Sequence, residues 1–142
     1  MSDFRIVYAQ ADGTAAVVVP APGVSIEDAL KAVPHGIAHE VVDITHIPAD
    51  RAFRNAWKHD TSPAPEKIAI DMPKARDIAH EKRRAKRSEE FAPLDVEATI
   101  PAKAAQAEAK RQAIRDKYDA MQVSIDATAT VDELKSAAAD VL

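Results

Sequence analysis

The 142-residue chain has no cysteine and only three glycines. The first absence excludes a disulfide framework and thiol chemistry. The second leaves no glycine-rich loop to cradle a phosphate. Aromatic residues make up 4% of the chain although 46% of it is hydrophobic. Much of that apolar count is alanine, which buries little area. Burial yields about 25 cal/mol per Å², so such a core is thin for its length. It predicts an elongated chain that draws stability from a partner or from oligomerisation. No apolar run approaches the roughly 20 residues of a membrane helix. The start, MSDFRIVYAQ, has neither the basic flank nor the apolar stretch of a signal peptide. A net charge of -4 and a pI near 5.7 do not suggest a polyanion-binding protein.

What is present reads as an α+β protein. Strand-like FRIVYAQ and TAAVVVP flank Asp12-Gly13, a strong hairpin-turn signal. Ser25 can cap a short helix over SIEDALKAV, with Asp28 three residues on, and Pro34 and Gly36 stop it. HEVVDITHI reads as a third strand, which completes a small ββαβ unit. Asp50 is a candidate N-cap for a helix over RAFRNAWK that places Phe53 and Trp57 i,i+4 on one face. The resulting division is a unit over 1–60 ending in this aromatic helix, a linker or extended entry over 61–70, and a helical hairpin with a short capping helix over 71–142. In the last part, one helix starts at Pro73 and ends or kinks at Pro93. A second runs from Pro101 to about Tyr118. MQVSIDA is expected to be irregular or strand-like, and Thr130 with Glu133 forms a capping box for the final helix.

The densest charge lies in DIAHEKRRAKRSEEFAPLDVEA. Seven basic residues stand between Lys74 and Arg87, and four acids follow from Glu89 to Glu97. On a helix, Ala75, Ile78, Ala79, Ala85 and Ala92 form a stripe that Lys82 interrupts. Oppositely charged neighbours, such as Lys86 with Glu89, then face each other at helical spacing. A nucleic-acid helix usually leaves its positive charge unopposed and adds stacking aromatics. The 82–87 cluster is therefore read first as a solvated or partner-facing helix, and nucleic-acid contact through it is the alternative. No catalytic, cofactor or metal site is legible. His35 and His39 are separated by Gly36 and preceded by Pro34. His80-Glu81 begins like a zinc-protease motif, but Arg84 stands where its second histidine would be.

The blocks RAFRNAWK (51–58), MPKARDIAHEKRRAKR (72–87), LDVEA (94–98), AKRQAIRD (109–116) and TVDELKSA (130–137) occur in this order. Together they resemble a set of small proteins encoded among the tail and late structural genes of tailed bacteriophages and prophages. The helical half is also similar in style to tail-fibre assembly chaperones, through Leu94-Asp95 and the Arg111–Asp116 segment. Pro93 departs from that pattern, because it stands directly before Leu94. The resemblance implies a non-enzymatic protein of phage tail, fibre, baseplate or neck assembly. It would be found in the virion or in the host cytoplasm during assembly, with a phage structural protein or a second copy of itself as partner. Aromatic and arginine side chains dominate interface energetics, so the interface candidates are Phe53, Arg54, Trp57, Arg83, Arg87, Arg111 and Arg115.

Overall fold

The computed structural model describes residues 3–63 and 65–142. The α+β class read from the sequence is the one found. The chain divides into two compact units, Met1–Asp71 and Met72–Leu142.

In the first unit, strands β1 (Phe4–Ala9) and β2 (Ala15–Val18) form the expected hairpin. Gly13 adopts φ +85° in its turn, and the Asp12 side chain accepts the Thr14 amide at 2.9 Å. The Ser25 side chain accepts the Asp28 amide and caps α1 (Ile26–Leu30). Strand β3 (His39–Asp43) returns antiparallel to β1, so the sheet order is β2-β1-β3. Successive side chains on a strand point to opposite faces. Ile6 and Val7 are both fully buried, so both faces of the central strand are covered.

One expectation fails here. RAFRNAWK is not a helix: a turn and a short 3-10 segment, Arg54–Ala56, lead into strand β4, Trp57–His59. Within the 61–70 stretch, read as a linker or extended entry, β5 (Ile68–Ile70) pairs antiparallel with β4 and belongs to the first unit. The cause is tertiary. Trp57 is 2% exposed and packs with Val7, Ala15, Val42 and Ile68, a burial that outweighs local helix preference. The Glu40 carboxylate on β3 fastens the small hairpin by pairing with His59 Nε2 at 2.7 Å and Lys67 Nζ at 3.1 Å.

The second unit is a hairpin of α2 (Met72–Glu97) and α3 (Ala104–Asp126), followed by α4 (Val131–Ala137). Its polar ties run Arg76 to Thr128, His80 to Asp126, Glu90 to Lys117 and Asp95 to Arg111. Rising numbers meet falling ones, so the long helices are antiparallel. Pro93 does not end α2. The helix continues another turn, with Leu94 buried and ties to α3 on either side. Helix α3 starts later than Pro101 and runs past Tyr118 through MQVSID, because Tyr118, Met121 and Ile125 continue one buried stripe at helical spacing. On α2 the buried positions are Ala75, Ala79, Arg83 and Leu94. Arg83 thus takes the seam position expected of Lys82, which is exposed together with Ala85 and Ala92. The Thr130 side chain caps α4 by accepting the Glu133 amide, and Glu133 accepts the Ala129 amide in return.

Candidate functional site

In the first unit one groove gathers the chemistry. β-strand alternation puts Arg5 on the same face of β1 as Val7, with Val42 and Val17 opposite them on β3 and β2. The Asp50 side chain accepts the Ala52 amide at 2.9 Å, which turns the chain after Pro48 and presents Arg51. The 3-10 segment follows and brings Arg54 to the same indole. The guanidinium carbons of Arg51 and Arg54 lie 5.7 and 4.6 Å from the centre of the Trp57 ring, within cation–π range. Arg54 also donates to the Ala15 carbonyl at 3.0 Å. Arg5, Arg51, Arg54 and Trp57 line a groove of about 420 Å³ whose other walls include Val17, Val19, Ile44 and Ile47. Burial and the adjacent Arg51 charge hold the Arg54 guanidinium below the usual arginine range. Neither Arg51 nor Arg54 forms an ion pair within the described residues.

The interface candidates separate into three groups. Phe53 and Trp57 are each only 2% exposed: both are core residues, and Trp57 is also the floor of the groove. Arg54 lines the same groove. In the second unit Arg83 is buried, and its Nε donates to His80 Nδ1 at 3.3 Å while His80 Nε2 meets Asp126 at 2.7 Å. It is held inside the hairpin and does not present its charge outward. Arg87, Arg111 and Arg115 do come together, along a shallow groove with Phe91 and Asp95. Two of these three are already neutralised: Arg111 pairs with Asp95 at 3.1 Å and Glu108 at 3.4 Å, and Arg115 pairs with Glu108. Arg87 stacks on Phe91 at 4.7 Å.

A further depression in the second unit is walled by Pro93, Leu94, Ala113 and Ile114 and edged by Glu90 and Lys117. Burial pushes the Glu90 carboxyl up, but Tyr118, Lys117 and Lys86 together outweigh it and hold the group below the ordinary carboxylate value. The Tyr118 phenol is pushed up by its burial and by Glu90, yet its oxygen completes no hydrogen bond. Among the described residues, no three histidine or carboxylate side chains converge as metal ligands would. No helix among them is long and apolar enough to cross a membrane.

Sequence reasoning had missed Arg5, Arg51 and the valine and isoleucine walls. Arg51 was within reach, since it stands three residues before Arg54 and six before Trp57. Arg5 was not, because it joins them only through the sheet. No family model, curated protein or solved structure matches this chain.

Proposed function

We propose that the chain is a non-enzymatic binding protein, an adaptor, cap or chaperone of a phage tail fibre, baseplate or neck, and that the first-unit groove holds its partner protein. One observation carries the binding reading. Residues 1–71 contain ten acidic and six basic side chains, yet all three of their arginines and the chain's one tryptophan line a single apolar groove. Arginine and tryptophan in a partly desolvated pocket make up the composition of interface hot spots. The phage assignment is supported by the ordered sequence blocks alone.

Nucleic-acid contact through 82–87 is less well supported. Arg83 is buried against His80, and Lys86 pairs with Glu89 at 3.6 Å, which leaves a broken rather than a continuous basic stripe. Capture of partners by tagged protein from prophage-induced cells, with and without nuclease, separates the two readings. Nuclease-insensitive recovery of a late phage protein supports protein binding. Recovery of nuclease-sensitive material alone, with the steep salt dependence of phosphate contacts, supports the alternative.

A further inference from the structure

We infer that the groove takes a short acidic–apolar segment of the partner protein, in which an aspartate or glutamate side chain reaches Arg51 and Arg54 while neighbouring aliphatic or aromatic side chains cover Val17, Val19, Ile44 and Ile47. This rests on the binding reading above and specifies the chemistry of the bound segment.

Three observations converge. The first is uncompensated charge. Arg51 and Arg54 approach one indole ring and form no ion pair within the described residues. Two like charges so placed repel each other, and an arriving carboxylate relieves that repulsion while accepting charge-assisted hydrogen bonds. The second is the apolar wall. Val19 is 66% and Ile44 41% exposed. A bare inorganic anion would satisfy the arginines but leave these side chains in water, whereas a purely apolar segment would bury the arginines unpaired at a large cost. Only a ligand carrying both kinds of group fits both. The third is the surrounding charge. Elsewhere the first unit is acid-rich, so an acidic segment is disfavoured at other places on it. Specificity then arises from repulsion around the groove as well as attraction within it. A cleft of about 420 Å³ accommodates a few side chains of a segment rather than a folded face.

The test is a selection of random displayed peptides on the full-length protein, run in parallel on wild type and Arg51→Gln. Arg51 is exposed, and its replacement leaves the Arg54–Ala15 bond in place. Enriched peptides are then titrated while the emission of Trp57, the chain's one tryptophan, is followed. The expected result is enrichment of aspartate or glutamate next to leucine, isoleucine or phenylalanine. The selected peptide should bind at least tenfold more tightly than its asparagine or glutamine counterpart, and at least tenfold more tightly to wild type than to Arg51→Gln. Enrichment of basic or purely apolar peptides would overturn the inference. So would no enrichment, equal binding by the amide counterpart, or a Trp57 response saturated by inorganic phosphate alone. If those results appear while the partner is still captured from induced cells, the binding function stands and its surface lies elsewhere. If acidic–apolar peptides bind but no partner is captured, the groove chemistry stands and the assembly role falls.

Discussion

Arg54 is placed by Trp57: its guanidinium rests 4.6 Å from the indole centre while it donates to the Ala15 carbonyl. One tryptophan therefore serves two ends, filling the core with Val7, Val42 and Ile68 and holding an arginine at the rim of a groove. Removing the ring should cost the fold. Trp57→Ala should destabilise the first unit by about 3–5 kcal/mol, the range for truncating a buried aromatic residue. Arg54→Ala should cost only about 1–2 kcal/mol, from one hydrogen bond and one partly buried cation–π contact. Urea denaturation followed by circular dichroism compares the two; equal losses would contradict this division of roles.

Glu40 is the corresponding anchor on the opposite strand. Glu40→Ala would leave the buried His59 ring without its carboxylate and should cost about 1–3 kcal/mol. The pH dependence has a definite sign. Hydrogen bonding from His59, followed by contact with Lys67, holds the Glu40 carboxyl below its ordinary value of 4.5. The folded form binds this proton more weakly than the unfolded form. Its stabilising contribution is therefore complete above pH 4.5 and lost as the pH falls through the lower folded value. Denaturation midpoints of wild type and Glu40→Gln should draw together over that acidic interval and remain apart at neutral pH.

Pro93 sits inside α2 without breaking it. Its ring removes one backbone hydrogen bond and crowds the carbonyl four residues back, a burden of about 3 kcal/mol in an unconstrained helix. Pro93→Ala should therefore stabilise the hairpin by about 1–3 kcal/mol, read as a higher denaturation midpoint. A lower midpoint would show that the proline shape is itself needed by the wall it forms with Leu94, Ala113 and Ile114.

Tyr118 is fully buried, and its hydroxyl faces the Glu90 carboxylate without completing a hydrogen bond. A buried donor left unpaired costs free energy, so Tyr118→Phe should be neutral or stabilising by up to about 1 kcal/mol. A loss greater than that would mean that the phenol bonds Glu90 in solution.

The order of elements was legible because it follows from local chemistry. Asp12-Gly13 turns the first hairpin, Ser25 and Thr130 cap α1 and α4, and alanine-rich, charge-paired sequence makes the two long helices. The segment around Trp57 was not legible. RAFRNAWK carries helical spacing, and what turns it into a 3-10 turn and a strand is the pairing of Trp57 with Ile70 and its burial among Val7 and Ala15, more than forty residues earlier in the chain, and Val42. Pro93 does not end its helix and the MQVSID segment is helical for the same reason: packing between α2 and α3 holds helix where local propensity signals a break. The seven interface candidates contained one groove arginine and the tryptophan floor. Arg5 reaches the groove through sheet register, which leaves no short-range signature, whereas Arg51 follows the Asp50 turn three residues before Arg54 and was within reach.

The central claim is tested most directly by capturing partners from prophage-induced, nuclease-treated lysate with wild type and Arg51→Glu, after equal denaturation midpoints show that both are folded. The account predicts that wild type recovers one late phage structural protein and that the variant loses it. Equal recovery by the variant, or recovery of nothing that survives nuclease, would contradict it.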